Sequence, residues 1–207
     1  MSRPSFADLY WLPLGAGGHF VRLNGRVFET IDAALHRRRP CDLYHSALEV
    51  RLGGERYVIE QGPVWNTTDP RRGVVCEGPV GSPWLGRSRL FRYEVRVWHN
   101  GTIPDVAEAV ASPLRLSCDT ERAALLLDLV PAVPRATWGR DEQQAGEMWN
   151  SNSVISWLLA RSGHDTRSIA PPTRGRAPGW NAGLIVAARQ LEEARCAGEG
   201  CPVAISS

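Results

Sequence analysis

The stretch DLYHSALEVRLGGERYVIEQG, residues 42–62, decides the fold, because two strand-like runs flank a tight turn. The runs 42–50 and 55–62 are short and rich in β-branched, aromatic and other apolar residues, which favours β-strands. The glycines 53 and 54 favour a two-residue hairpin turn, since glycine adopts the positive φ that such turns need. The sequence therefore predicts an antiparallel hairpin here.

The turn also predicts the register of this hairpin. Counting back from it gives the cross-strand pairs Leu52–Glu55, Val50–Tyr57 and Leu48–Ile59. Because side chains alternate between the two faces of a strand, His45 shares a face with Glu60, its diagonal neighbour. A one-residue slip would put Gln61 there instead. A carboxylate or an amide orients an imidazole, so either residue is a candidate partner of His45.

A second informative stretch is EMWNSNSVISWLLARSG, residues 147–163. Its apolar residues predict a helix over 150–161 that is buried on most sides, with Ser151 in the first turn. Two roles are open for Ser151. It caps the helix, or it is a nucleophile that the positive end of the helix dipole assists. A serine nucleophile needs a base, and His45 is the candidate because a strand holds it rigidly.

The remaining patterns place strands before helices. Strands are predicted at 19–23, 26–30, 74–79 and 87–98, and helices at 30–39, 103–112 and 120–130, the last capped by Asp119. The segment 184–195 suits a strand at its start and a helix at its end. This order predicts an α+β fold with a mostly antiparallel sheet. We expect one domain over 1–196 and a flexible tail over 197–207.

Composition excludes several classes of protein. The chain has 207 residues, 43% of them hydrophobic, and a net charge of +2. Such a charge favours neither nucleic acid nor an anionic membrane as partner. A targeting segment, a membrane span and metal-ligand spacing are absent from the sequence, which predicts a cytoplasmic protein with no cofactor and no metal. The oligomeric state stays open.

The order of these features resembles the circularly permuted papain-like (NlpC/P60-type) superfamily, which includes lecithin:retinol acyltransferase-like enzymes and PPPDE peptidase-like proteins. WNSNSVISWLLARSG resembles the nucleophile helix of that group, with Asn150 before the nucleophile and Ser151 at its position. LYHSALEV resembles the histidine strand, and VIEQG resembles the next strand, with Glu60 at the third polar position. The resemblance covers roughly 42–62 and 147–163, and implies an antiparallel sheet packed against a buried nucleophile helix.

The resemblance implies a hydrolase or acyltransferase that acts on an amide or ester. Ser151 would attack, His45 would move the proton, and Glu60 or Gln61 would orient His45. The Ser151 N–H with the side chain of Asn150 or Asn152 would bind the oxyanion. Gln61 would belong to the substrate-binding cleft, and two tryptophans would line it, Trp65 and Trp149. The substrate would be a small molecule, a peptide or an acyl group.

The sequence departs from this superfamily at the nucleophile, because Ser151 stands where these families use cysteine. A serine needs stronger base assistance than a thiolate does. Three explanations are open: a serine version of the enzyme, a fold that has lost catalysis, or an introduced Cys-to-Ser change. The alternative function is a catalytically inactive binding module on the same fold. A further alternative is an unrelated α+β fold in which Ser151 only caps its helix.

Overall fold

Seven β-strands form one largely antiparallel sheet in the computed structural model, which describes residues 4–14, 39–64 and 72–199. The strands are β1 (Phe6–Pro13), β2 (Asp42–Leu52), β3 (Glu55–Pro63), β4 (Val74–Pro79), β5 (Arg92–His99), β6 (Val110–Ser117) and β7 (Gly175–Arg176). Their order is β4-β5-β3-β2-β1-β6, and β7 pairs in parallel with the start of β2. The α+β class predicted from the sequence is therefore confirmed.

The hairpin β2–β3 forms with the predicted register. Gly53 and Gly54 have φ values of 61° and 92°, as a tight turn between twisted strands requires. The observed pairs include Leu52–Glu55, Val50–Tyr57 and Leu48–Ile59. Local turn chemistry alone thus sets the alignment of the two central strands.

Two predictions near the sheet edges are wrong. Residues 103–112 form only a short 3-10 turn, Val106–Glu108, and the chain then enters β6, which pairs with β1. Helix propensity in the run of alanines is overridden there by pairing along a sheet edge. The predicted strand at 87–98 begins only at Arg92, because 83–91 form two 3-10 turns.

Three α-helices lie within the described residues: α1 (Thr120–Leu129), α2 (Ser151–Arg161) and α3 (Trp180–Glu199). The predicted cap of α1 is confirmed, since the Asp119 carboxylate accepts from two backbone N–H groups. The undecided segment 184–195 is helical, and α3 continues past 197, where a flexible tail was predicted. The predicted elements at 19–39 and the tail beyond 199 lie outside the described residues.

The two faces of the sheet differ in what covers them. The helix face packs against α2 and carries from β2 the side chains of Tyr44, Ser46, Leu48 and Val50. The far face carries the alternate side chains and a smaller apolar cluster of Leu12, Ala47, Val58 and Ile103. The main core is therefore the layer between the helices and the helix face.

The pairing of β2 with β3 stops before either strand ends. The last pair is Leu48–Ile59, although β2 begins at Asp42 and β3 runs to Pro63. On the other side, β2 stays paired with β1 as far as Tyr44, and β3 stays paired with β5 as far as Pro63. We call this opening between the unpaired halves of β2 and β3 the β2–β3 gap.

No helix among the described residues is long and apolar enough to cross a bilayer.

Candidate functional site

Asn150, and not Ser151, caps helix α2. The Asn150 Oδ1 accepts from the backbone N–H groups of Asn152 (2.9 Å) and Ser153 (3.3 Å), and the Asn150 N–H donates to Ser153 Oγ at 3.0 Å. These reciprocal bonds form a capping box. The Asn150 Nδ2 donates one of its two N–H groups to the Pro178 carbonyl at 2.8 Å, so this amide is held by the chain beyond α2.

Asn152 ties α2 to the β2–β3 gap. Its Nδ2 donates to the carbonyl oxygens of Tyr44 and Pro178, both at 2.9 Å. Its Oδ1 accepts from Ser46 Oγ at 2.9 Å. The Tyr44 carbonyl lies beyond the last β2–β3 pair, so Asn152 supplies a partner that the ladder does not. The predicted oxyanion role of Asn152 therefore has no free donor to use.

Ser151 is the first residue of α2 and is 5% exposed. Among the described residues no group bonds to its Oγ or accepts from its backbone N–H. The Oγ is not one of the fully enclosed unpaired atoms, so some of its surface stays accessible. A helix N-terminus carries free N–H groups and partial positive charge. Ser151 thus keeps an unpaired backbone N–H and an unpaired hydroxyl among the described residues.

Gln61 carries the unusual feature of this region. It is 5% exposed, and both its Nε2 and its Oε1 lack a hydrogen-bond partner. Alternation from Ile59 puts Gln61 on the helix face, and the hairpin register continued by two pairs sets it opposite Ser46. Gln61 therefore lies on the β3 side of the β2–β3 gap, across from the strand that Asn152 holds.

His45 lies on the far face of the sheet. Ser46 Oγ bonds to Asn152 and so points toward α2, and the pairing of β1 with β2 runs through this region without a shift. Successive strand side chains point to opposite faces, so His45 points away from α2. No hydrogen bond joins His45 to Ser151. The structure does not bring together the predicted base and the predicted nucleophile.

The electrostatics of His45 agree with this placement. Burial lowers the pKa of His45 to about 4, and no described carboxylate offsets that effect. The imidazole is therefore neutral at neutral pH. It has no hydrogen bond to Glu60, which the sequence predicted as its orienting partner.

Glu60 belongs instead to a buried ion cluster on the far face. Its Oε1 accepts from Arg96 Nη1 at 2.7 Å, and Arg96 Nε donates to Glu94 at 2.6 Å. Arg72 binds the same Glu94 carboxylate with two nitrogens. Burial raises the pKa of Glu60, and the charge of Arg96 counters part of that effect. Glu60 is thus a structural ion-pair partner, which corrects its predicted role.

Of the two tryptophans predicted to line the cleft, the structure describes only Trp149. Trp149 is fully buried in the main core, and its indole Nε1 has no partner. Its backbone bonds to Gly139 and Arg140 immediately before α2 begins. Trp65 lies outside the described residues. Trp149 therefore supports the start of α2 from within the core.

Two further described histidines have other partners. The exposed His99 Nε2 lies 2.8 Å from Glu55, near the hairpin turn. The buried His164 lies between two hydroxyls, with Nδ1 2.8 Å from Ser162 Oγ and Nε2 3.0 Å from Ser117 Oγ. His164 follows the C-terminus of α2, so neither imidazole lies at the end that carries Ser151.

The sequence predicted Gln61 as a substitute for Glu60 and as a substrate-binding residue, but it did not predict that Gln61 lies beneath α2. A signal for its position was present, because β2 reads Tyr44, Leu48 and Val50 on one face and His45 and Glu49 on the other. An apolar helix packs on the more apolar face. That rule assigns α2 to the face of Gln61.

Within residues 4–14, 39–64 and 72–199, no group of three His, Cys, Asp or Glu side chains is arranged to hold a metal ion. Comparison of the chain with protein-family models, with curated proteins and with solved structures finds no match.

Proposed function

We propose that this protein is a non-catalytic binding module whose site is the β2–β3 gap at the N-terminus of α2. The observation that carries the proposal is the Gln61 side chain, whose buried amide has neither a donor nor an acceptor opposite it. An unpaired buried polar group costs about 1–3 kcal/mol, so a ligand that supplies the missing partners recovers that free energy. Both amide atoms are enclosed in the free protein, so binding would require the β2–β3 gap to open around the ligand.

The chemistry of the unpaired groups defines the ligand. Gln61 presents one acceptor oxygen and one NH₂ donor, and Ser151 adds a backbone N–H and a hydroxyl. A neutral amide offers a carbonyl and an N–H in matching positions. The unpaired groups include both donors and acceptors, which suits a ligand that carries both. A peptide or another amide-bearing molecule fits these requirements.

Among the described residues no base lies beside Ser151, which favours binding over catalysis. A serine hydroxyl attacks an acyl group only when a neighbouring group accepts its proton. Among the described residues His45 is on the other face, and the amides of Asn150 and Asn152 are already engaged. A bound amide would therefore stay intact.

Nuclear magnetic resonance tests the binding proposal directly. The full chain is titrated with N-acetylglycine N-methylamide and, as a matched control, with the ester analogue that lacks the second N–H. We expect the amide to shift the Gln61 side-chain signal and the Ser151 backbone signal more than the ester does. Gln61→Leu identifies the side-chain signal and should abolish the shift at Ser151. Unchanged Gln61 signals with both ligands would overturn the proposal.

A second candidate function is acyl transfer through Ser151, and the unpaired Ser151 hydroxyl at a helix N-terminus favours it. A fluorophosphonate probe and intact mass measurement test it on the native chain, Ser151→Ala and His45→Ala. An adduct on the native chain that disappears in Ser151→Ala would establish the serine enzyme and displace the binding module. No adduct on any of the three supports the module.

A further inference from the structure

The connection between β4 and β5 exposes apolar side chains. We call residues 81–91 the β4–β5 tip. Trp84 is 70% exposed, Leu90 68% and Phe91 42%, and no side chain in either 3-10 turn of the tip is buried. Isolated exposed apolar residues are ordinary, whereas a cluster of large ones marks an interaction surface.

The backbone holds the β4–β5 tip in a defined shape. Val80 N–H donates to the Phe91 carbonyl at 2.8 Å and so closes the base of the tip. Gly81 N–H donates to the Trp138 carbonyl at 2.9 Å, and Gly86 packs so closely on Pro79 that a Cβ would lie 2.9 Å from it. The apolar side chains are therefore presented on a built protrusion.

The tip is also locally cationic. Arg87 and Arg89 are exposed and form no ion pair among the described residues. No Asp or Glu occurs from Gly78 to Tyr93. The net charge of +2 hides this asymmetry, because it averages over the whole chain.

We propose that the β4–β5 tip docks on the surface of an anionic lipid bilayer. Tryptophan, leucine and phenylalanine insert at the boundary between headgroups and acyl chains, while arginine reaches anionic headgroups. A protrusion with no buried side chain suits a soft interface, which closes around it. The charge complementarity between the arginines and an anionic leaflet selects this occupant over a neutral surface. This inference does not depend on the ligand of the β2–β3 gap.

Cosedimentation of the full chain with vesicles tests the proposal. We expect binding to vesicles of equal parts phosphatidylcholine and phosphatidylserine, weaker binding at high salt, and little binding to phosphatidylcholine alone. Arg87→Gln and Arg89→Gln should each weaken binding about fivefold. Trp84→Ala combined with Leu90→Ala should weaken it at least about tenfold.

Matched control variants separate the tip from the rest of the surface. Leu191→Ala removes an apolar side chain of 43% exposure on α3, and Arg167→Gln removes an exposed arginine elsewhere. Neither should change binding. No binding to anionic vesicles, or equal losses in control and tip variants, would overturn the proposal. A tip-dependent dimer in size-exclusion chromatography without lipid would overturn it in favour of a second copy as the partner.

Discussion

Glu60 and Gln61 are neighbours on β3, equally buried, and treated in opposite ways by the rest of the molecule. Glu60 points to the far face, where Arg96 holds its carboxylate in an ion cluster. Gln61 points to the helix face, where its amide has no partner. Buried polar groups in folded proteins are nearly always satisfied, so Gln61 is the exception of the two, and recognition is its proposed role.

The comparison shows that burial alone does not indicate a site. A buried charge that is bonded on every side contributes to the scaffold, and removing it leaves its partner exposed to the same desolvation cost. A buried neutral group without partners costs free energy in the isolated protein and recovers it when a ligand arrives. We therefore expect a change to leucine to lower the free energy of unfolding at Glu60 and to raise it at Gln61.

The largest expected effect is at Glu60. Glu60→Leu leaves the buried Arg96 with one carboxylate fewer, and we expect the free energy of unfolding to fall by about 3–5 kcal/mol. Urea denaturation measures it. Glu77→Leu is the control, since its ion pair with Arg92 is partly exposed and contributes about 0–1 kcal/mol. Equal losses in the two variants would remove the distinction between a buried and a surface ion pair.

The next largest effect is the loss of stability at acid pH that His45 on the far face causes. His45 is neutral in the folded state with a pKa of about 4, whereas the unfolded chain takes up a proton near its usual value of 6.5. Stability is therefore full above about pH 6.5 and falls by up to about 3 kcal/mol as the pH decreases toward 4. Unfolding measured across this range should show a shallower slope in His45→Leu, while the buried His164, whose pKa burial also lowers, keeps part of the slope. An unchanged slope in His45→Leu would contradict the assignment.

On the helix face, substitution of Gln61 should raise the free energy of unfolding, whereas substitution of Glu60 on the far face lowers it. Gln61→Leu removes an unpaired amide from the core, and we expect the free energy of unfolding to rise by about 1 kcal/mol while amide binding is lost. Gln190→Leu is the matched control, because the Gln190 Oε1 accepts from Trp157 Nε1 at 2.9 Å and its loss leaves that indole unpaired. Stabilisation by Gln190→Leu, or destabilisation by Gln61→Leu, would break the comparison.

The smallest effect is expected at Ser151. Ser151→Ala removes a hydroxyl without a described partner and should change stability by less than about 0.5 kcal/mol. Ser153→Ala, two residues on, removes the capping-box hydroxyl that also donates to the Gly179 carbonyl, and should cost about 1–2 kcal/mol. Thermal unfolding of the two variants checks this order. A large loss in Ser151→Ala would make Ser151 a structural residue.

The sequence predicts the elements that local chemistry decides. The Gly53–Gly54 turn sets the hairpin register, Asp119 sets the start of α1, and the apolar run after Asn150 sets α2. The β6 strand escaped prediction because its pairing with β1 joins residues about a hundred positions apart. Strand β1 also went unpredicted, since its central Asp8 is buried only through a distant partner, Arg115.

At the candidate site, too, the sequence predicted what local pairing decides and missed what long-range contacts decide. The hairpin register correctly put His45 and Glu60 on one face, but no local pattern was used to ask which face α2 covers. The answer depends on Ser46 meeting Asn152 and on Glu60 meeting Arg96, at separations of 106 and 36 residues. Such long-range contacts decided that Gln61, and not Glu60, lies beneath α2.

The short ladder between β2 and β3 also divides the sheet mechanically. Five residue pairs, from Leu48–Ile59 to Leu52–Glu55, join the half of the sheet formed by β4, β5 and β3 to the half formed by β2, β1 and β6. Helix α2 packs against both β2 and β3 and so contacts both halves of the sheet. We expect a force that separates the two halves of the sheet to break the β2–β3 pairs one after another, from the β2–β3 gap toward the glycine turn. The place where the ligand is proposed to bind therefore lies at the open end of this short ladder.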